Sequence, residues 1–267
     1  MNQPSCRNLR RPEHTRQRRR GQLPSSEGNT TIAYWYFMRG HLRRFTTATV
    51  AGLLALIVPY SLPAQSEHPV TGRQIANVMS VSGADWLERS QREIEELPET
   101  ALEKIGIREG QTVADVGAGS GYFTVRLATR VGASGKVYAV DVQPEMLAII
   151  RKRIGSLNLT NVEPVLGSES DPKLPPKALD LILMVDVYHE LSQPQRMLRK
   201  MRAALKDDGR LVLLEYRKED PHIPIRLEHK MSVPEAKQEL EAEGFRLEKA
   251  LEDLPRQHIL IFRKSSM

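Results

Sequence analysis

The chain is almost free of cysteine: Cys6 is the only one among 267 residues. A single thiol cannot form a disulfide within the chain, and it cannot supply the several thiolates of a typical zinc site. Because Cys6 lies in the N-terminal segment, the rest of the chain lacks a cysteine nucleophile, which excludes the covalent route for methylating C5 of pyrimidines. We predict no disulfide bond and no metal site.

Beyond its N-terminal segment the chain also lacks any excess of positive charge. The net charge is +6, but residues 1–44 alone hold ten Arg or Lys and two Glu, a net charge of +8. The other residues hold 29 basic and 31 acidic side chains. A nearly neutral domain has no electrostatic affinity for a phosphate backbone, so we predict no nucleic-acid partner.

The front of the chain has the composition of a targeting segment. Residues 1–37 mix arginine with polar residues and show no apolar periodicity, which predicts a disordered basic extension. From Met38, three arginines precede an uncharged apolar run, and small residues follow it up to Ala64. This order predicts a signal peptide over residues 38–64, with Met38 as the true start and export to the periplasm or the cell exterior.

Other interpretations of this segment remain open. An uncleaved segment would give membrane association through residues 46–64, although its apolar core is shorter than the ~20 residues of a spanning helix. An arginine-rich leader is also compatible with an organelle transit peptide, and the apolar run with a buried helix. If the leader is misinterpreted, the protein is cytoplasmic.

Beyond residue 66, strand-like and helix-like segments alternate, which is typical of a mostly parallel sheet covered by helices. We expect a helical cap over residues 65–97, formed by one amphipathic helix from Ala84 to Leu97, and an α/β domain over residues 98–267. The predicted strands are Thr112–Val116, Lys136–Val140, Val162–Leu166, Leu179–Val185, Arg210–Glu215, Phe245–Leu251 and His258–Phe262, with the last two antiparallel. The predicted helices of the domain are Ala101–Ile105, Gly121–Thr129, Pro144–Ile154, one that Ser192 and Gln195 cap and Gly209 ends, and Pro234–Ala242.

The turn after the first strand carries glycine at alternate positions, Gly117, Gly119 and Gly121. Glycine allows a sharp turn and a close approach of ligand to backbone, and the following helix directs free N–H groups at an anionic group such as a carboxylate. The second strand ends at Asp141, whose carboxylate can accept hydrogen bonds from both hydroxyls of an adenosine ribose. Tyr122 stands one place past the last glycine, so the dinucleotide pattern fails, and the spacing favours a nucleoside that carries an amino acid.

These features resemble the class I S-adenosylmethionine-dependent methyltransferases, particularly the type 11 group that includes enzymes of ubiquinone and menaquinone biosynthesis. The resemblance extends roughly over residues 98–216, and residues 68–97 and 216–231 are similar to a bacterial subset that bears export signals. It implies a Rossmann-like α/β fold, with helices on both faces of a mostly parallel seven-stranded sheet, and S-adenosyl-L-methionine as the methyl donor.

The resemblance also implies a set of donor-binding residues. The loop expected around the methionine part of the donor consists of Asp115, Gly117, Ala118, Gly119 and Gly121. Asp141 is expected to hold the ribose, while Val142 and Met146 flank the adenine.

The family often has an acid after the third strand that meets the adenine amino group. This chain has a serine, Ser168, where an aspartate is commonly found. Glu169 or Asp171 is expected to take that role instead.

The methyl acceptor is expected at the end of the fourth strand. An Asn- or Asp-Pro-Pro-Tyr sequence, typical of enzymes that methylate exocyclic amines of bases or amide nitrogens, is missing there, which favours a small-molecule acceptor. His189 is the first candidate for a general base because imidazole titrates near neutral pH. Asp186 and Tyr188, together with Glu190, are secondary candidates for orienting the donor or the acceptor.

Simpler interpretations compete with these roles. His189 and Glu190 can merely begin the next helix, and His229 is best interpreted as a solvated surface histidine rather than one that overhangs the site. Trp86 and Leu87 can form an apolar lid, although packing against the sheet is the simpler expectation. Two other functions also remain open: an NAD(P)-binding oxidoreductase and a non-catalytic S-adenosylmethionine-binding protein.

Overall fold

The structure, a computed structural model, describes residues 67–265. The predicted basic extension over residues 1–37 and the predicted signal peptide over residues 38–64 lie outside this range. Within residues 67–265, no helix is both long and apolar enough to cross a membrane.

Seven strands form one sheet, as the fold class predicted. The strands are β1 Thr112–Val116, β2 Lys136–Asp141, β3 Val162–Leu166, β4 Leu179–Val185, β5 Leu205–Tyr216, β6 Phe245–Leu251 and β7 Gln257–Lys264. Their order across the sheet is β3-β2-β1-β4-β5-β7-β6. Strand β7 runs antiparallel to both of its neighbours, while the other pairs are parallel.

Helices cover both faces of the sheet. They are α1 Ala84–Leu87, α2 Arg92–Glu95, α3 Pro98–Ile105, α4 Tyr122–Val131, α5 Pro144–Ser156, α6 Pro194–Ala204 and α7 Val233–Glu241. Two large apolar clusters lie on opposite faces, and the central strand β4 contributes alternate residues to each, such as Ile182 to one and Leu183 to the other. This burial on both faces accounts for the nearly unbroken apolar sequence of β4.

The helix predicted from Ala84 to Leu97 is wrong, because the segment forms the two short helices α1 and α2. Between the two helices, two arginines form hydrogen bonds with backbone carbonyls. Arg89 Nη1 donates to Trp86 O (3.1 Å), and Arg92 Nη1 donates to Leu87 O (3.0 Å). Ile94, which the amphipathic pattern places on the apolar face of the predicted helix, is not buried: its side chain is 77% exposed.

The predicted ends of helix α6 are also wrong. Its cap residue is Gln193, with no side-chain cap, and the Ser192 hydroxyl donates instead to Glu169 Oε2 (2.9 Å). The chain leaves α6 for strand β5 at Leu205, so Gly209 lies within the strand and does not end the helix.

A buried ion pair and a buried histidine contact attach residues 68–73 to helix α7. His68 Nε2 lies 3.3 Å from Glu239 Oε2, and Arg73 Nε donates to Glu239 Oε1 at 2.9 Å. All three side chains are buried. Arg73 also donates through Nη1 to the carbonyl of His189 (3.1 Å), so this segment contacts the tip of β4 as well.

Candidate active site

The carboxyl ends of β1, β2 and β4 meet where the strand order reverses, between β1 and β4. In open α/β sheets, ligands bind at this position. The glycine loop follows β1, Asp141 ends β2, and residues 186–190 follow β4. The topology therefore brings together the segments that the sequence selected.

The glycine loop has a backbone that side chains would obstruct. Gly117, Gly119 and Gly121 have φ angles of 77°, 53° and 83°, in the left-handed region that favours glycine. A Cβ on Gly117 would collide with the side chain of Val187, and one on Gly119 would stand 2.7 Å from Leu87 Cδ1. Glycine is required here by conformation and by space.

Asp141 connects the tip of β2 to this loop. Its Oδ2 accepts a hydrogen bond from Gly119 N (2.9 Å), and its Oδ1 accepts one from Gln143 N (2.9 Å). Burial raises the pKa of the carboxyl above its usual range, although the backbone N–H groups act in the opposite direction. Each carboxylate oxygen has capacity for a further hydrogen bond, so Asp141 can still accept from ribose hydroxyls.

Asp115 lies beneath the loop. It is 2% exposed, and its Oδ2 accepts a hydrogen bond from Thr124 Oγ1 (2.6 Å) in the first turn of α4. Burial raises the pKa of Asp115 to about 6. The structure thus gives Asp115 a role in joining β1 to α4, and its contact with the methionine part of a donor stays a prediction.

The other predicted donor residues differ in accessibility. Val142 is 39% exposed at the edge of the site, whereas Ala118 and Met146 are buried. Glu169 accepts the hydrogen bond from Ser192, and Asp171 pairs with Lys200 at 3.0 Å. The adenine contacts predicted for these residues stay predictions.

Residues 79–93 lie across the glycine loop. Ser120 Oγ donates to Glu88 Oε1 (2.5 Å), and Glu88 also pairs with Arg153 of α5. Gln143 Nε2 donates to the carbonyl of Met79 (2.9 Å). Of the two side chains proposed as a lid, Leu87 contacts the loop, whereas Trp86 is 40% exposed and stacks under the Arg89 guanidinium.

At the tip of β4, His189 is held by groups from two other segments. It is 2% exposed; its Nδ1 lies 2.6 Å from Glu215 Oε2, and its Nε2 lies 3.1 Å from His229 Nδ1. Burial raises the pKa of the adjacent Glu190 to about 7. Both ring nitrogens of His189 are thus engaged, and its general-base role stays a prediction.

Two of the three secondary candidates, Tyr188 and Asp186, contact other side chains. Tyr188 is fully buried, and its hydroxyl lies 3.5 Å from His68 Nε2. Asp186 adopts a φ of 52°, and its Oδ2 accepts from Gln257 Nε2 (2.8 Å), while its buried Oδ1 has no partner. Burial, with nearby Glu96 and Glu215, holds the pKa of Asp186 well above its usual range.

The structure changes the interpretation of two residues around His189, namely His229 and Glu215. His229 is half-buried against His189, so the interpretation as a solvated surface histidine is wrong. Glu215 was not predicted to belong to the site. The sequence did carry a signal for it: an acid that follows the apolar run Leu211–Leu214 near the end of β5. An acid in such a buried strand is itself buried, and a fully buried carboxylate needs a partner.

Comparison with known proteins identifies the family of the domain. Residues 107–253 match a family described as a methyltransferase domain. The chain is 32% identical over 114 residues to the ubiquinone/menaquinone biosynthesis C-methyltransferase UbiE of Escherichia fergusonii, a match that covers 42% of this chain and 45% of that protein. The chain thus spans less than half the length of the curated relatives it matches.

Solved structures extend the likeness. A SAM-dependent methyltransferase from Aquifex aeolicus is 31% identical, with a TM-score of 0.66, over 69% of this chain and 98% of that one. The PH0226 protein from Pyrococcus horikoshii, 17% identical with a TM-score of 0.52 over 66% and 91% of the two chains, shares the fold alone.

The fold and the strand-tip site define a class I S-adenosylmethionine-dependent methyltransferase. The chain belongs to the methyltransferase-domain family matched over residues 107–253. The site fits the cofactor of that family, S-adenosyl-L-methionine, because Asp141 lies beside the left-handed glycine loop and keeps free acceptor capacity for ribose hydroxyls.

Proposed function

We propose that this protein transfers the methyl group of S-adenosylmethionine to a small-molecule acceptor. The observation that carries the proposal is the hydrogen bond from Gly119 N to Asp141 Oδ2 (2.9 Å), which joins the glycine loop to the acid of β2. The bound donor supplies an activated methyl group: the sulfur–methyl bond breaks as the acceptor–methyl bond forms, and S-adenosylhomocysteine leaves.

The chain's own contribution is mainly alignment. The N–H groups at the start of α4 bind the carboxylate of the donor, and Asp141 accepts from its ribose. The segment over residues 79–93 covers the loop and limits the access of water. Holding nucleophile and methyl group in line can supply up to about 7–11 kcal/mol of the barrier reduction.

A small molecule is the favoured acceptor because of the sequence at the tip of β4. Asp186-Val187-Tyr188-His189 lacks the paired prolines typical of enzymes that act on exocyclic amines of bases. The acceptors of the quinone-biosynthesis relatives are not transferred to this chain, since the match covers 45% of those proteins.

Calorimetric titration of the full chain tests donor binding. We expect S-adenosylmethionine and S-adenosylhomocysteine to bind and to raise the melting temperature, and NADH and NADPH to do neither. No binding of either adenosyl compound at millimolar concentration contradicts the proposal, and binding of a nicotinamide cofactor supports the oxidoreductase alternative.

Turnover separates an enzyme from a binding protein. The chain is incubated with a cell extract and a donor that carries a trideuterated methyl group, and mass spectrometry detects labelled products. We expect a labelled small molecule with the wild-type protein and, at subsaturating donor, about 10–100-fold less of it with Asp141→Ala. Donor binding without any labelled product favours a non-catalytic role.

We also propose that residues 38–64 direct export of the protein. The support is the order of basic, apolar and small residues, which ends at Ala64. An N-terminus at Gln65 in protein isolated from its source cells supports cleavage there, and retention of residues 38–64 contradicts it.

A further inference from the structure

We propose that His189, Glu190 and His229 bind a divalent transition-metal ion of the zinc class beside the methyl-acceptor position. The three side chains come from two separate segments, the tip of β4 and the loop that follows β5. One ligand atom from each lies within 4.8 Å of the others. The proposed acceptor position rests on the proposed function, whereas the ion site itself does not.

The distances between the three ligand atoms fit a metal ion. His189 Nε2 and His229 Nδ1 are 3.1 Å apart, and each lies 3.9 Å from Glu190 Oε1. The point equidistant from all three atoms is therefore about 2.1 Å from each, which is the bond length of zinc to imidazole nitrogen and to carboxylate oxygen. If the Glu190 carboxylate moved slightly towards the two histidines, the ion could lie outside the plane of the three ligand atoms and accept a fourth ligand.

The protonation pattern leaves the required lone pair on His189. A carboxylate can only accept, so His189 Nδ1 carries the proton that bonds Glu215 Oε2 at 2.6 Å. Arg226 can only donate, so His229 Nε2 accepts from it and His229 Nδ1 carries the proton. His229 Nδ1 therefore donates to His189 Nε2, which is unprotonated. A buried carboxylate behind a metal-ligating histidine fixes the tautomer and the orientation of the ring, as Glu215 does here.

Charge also favours a cation at this position. Two neutral imidazoles and Glu190 surround it, with Glu215 behind His189. Two cations oppose it: Arg226 Nη2 lies 3.1 Å from His229 Nε2, and Arg73 Nη1 donates to the carbonyl of His189 while its Nε pairs with Glu239. Binding of an ion at Nδ1 would put the His229 proton on Nε2 and displace Arg226, whose side chain is 77% exposed and has Glu228 as another partner.

The ligand set indicates what the ion would do. Two histidines and one glutamate with an open position are typical of catalytic zinc, in which the open position takes water or substrate. At the tip of β4 that position would take an oxygen of the acceptor, such as a hydroxyl or an enol. The inference narrows the acceptor class to molecules with an oxygen at or beside the methylated atom.

Titration of the metal-free full chain tests the site. Co²⁺ binding is followed by visible absorption and displaced with Zn²⁺. We expect one equivalent to bind to the wild type and to His222→Ala, and none to His229→Ala. His222 is a matched control, since it lies in the same loop with its side chain 93% exposed. Absence of binding by the wild type, undiminished binding by His229→Ala, or equal loss in both variants overturns the site.

Two further variants keep the test informative if His229→Ala fails to fold. Glu190→Gln should lose stoichiometric binding, and Glu215→Gln should weaken it by about 10–100-fold through the orientation of His189. Donor titration in each variant reports the fold independently. In these variants, loss of metal binding with donor binding intact supports the site. In the wild type, donor binding without metal binding overturns only this inference, whereas metal binding without donor binding overturns only the proposed function.

Discussion

The side chain of Val187 occupies the space that a Cβ on Gly117 would need. This contact joins the loop after β1 to the segment after β4. We predict that Gly117→Ala lowers the free energy of unfolding by about 2–4 kcal/mol, since it adds overpacking to left-handed strain, and abolishes detectable donor binding. Urea unfolding and calorimetry measure the two effects.

Gly106 provides the matched control for strain alone. Its φ is 72°, and nothing lies within 4 Å of the position of its Cβ. Gly106→Ala should cost only about 1–2 kcal/mol and leave donor affinity unchanged. The double variant Gly117→Ala with Val187→Ala should recover part of the stability; no recovery would show that the collision with Val187 is not the cause.

The hydrogen bonds of Asp141 predict a graded loss of donor affinity. Asp141→Ala should weaken donor binding by about 10–100-fold, because both the ribose acceptor and the partner of Gly119 N are lost. Asp141→Asn keeps a neutral acceptor and should lose about tenfold. Glu145→Gln, on an exposed residue at the start of α5, is the control and should bind as the wild type does. Unchanged affinity in Asp141→Ala would refute the assignment of the ribose.

Asp115 predicts a specific dependence of stability on pH. Its pKa is raised from 3.8 to about 6 by burial, so the folded state holds the proton more tightly than the unfolded state does. The contribution of Asp115 to the free energy of unfolding is therefore largest below pH 3.8 and falls as the pH rises towards 6, by up to about 3 kcal/mol. Asp115→Asn removes this dependence.

Urea unfolding of wild type and Asp115→Asn between about pH 4 and pH 7 measures this effect. The stability of the variant relative to the wild type should increase across the range. Glu163→Gln, at an exposed position of β3, is the control and should show a nearly constant difference. A constant difference for Asp115→Asn would contradict the raised pKa.

Two serines test the helix caps: Ser192, which was wrongly predicted to cap a helix, and Ser232, whose cap was not predicted. Ser232 caps α7: its hydroxyl accepts from Glu235 N, and Glu235 Oε2 accepts from Ser232 N (3.1 Å). Ser232→Ala should cost about 1 kcal/mol in thermal or urea unfolding. Ser192→Ala should cost less than about 0.5 kcal/mol, because Ser192 is exposed and caps no helix. Equal losses would contradict this distinction.

The meeting of the glycine loop with Asp141 could be predicted from the sequence because its signals are local, whereas donor binding by these residues stays a prediction. Glycines at alternate positions after an apolar strand, and an acid at the end of the next strand, specify backbone shape and charge within about thirty residues. The strand bounds were also predictable: β1, β3, β4 and β6 lie as expected, while β5 is longer at both ends. Apolar runs decide where buried strands lie, and the topology follows from alternation with helices.

The acceptor half could not be predicted, because its contacts join distant segments. Glu215 and His229 reach His189 from positions 26 and 40 residues along the chain, through a loop whose path the sequence does not fix. The errors at Ala84–Leu97 and Ser192 have a different cause. In both places polar side chains found partners that local periodicity does not show: the carbonyl of Leu87 for Arg92, and Glu169 for Ser192.

The buried contacts of His68 and Arg73 with Glu239 show that the folded unit begins before the region that matches the family. The family match covers residues 107–253, so a fragment cut to those limits would keep Glu239 but lose its cationic partner Arg73, its neighbour His68 and strand β7. An isolated charge in that interior is destabilising by about 3–5 kcal/mol. An expressed fragment should therefore retain every residue from Glu67 onward, and a protease that removes Arg73 would inactivate the whole domain by unfolding it.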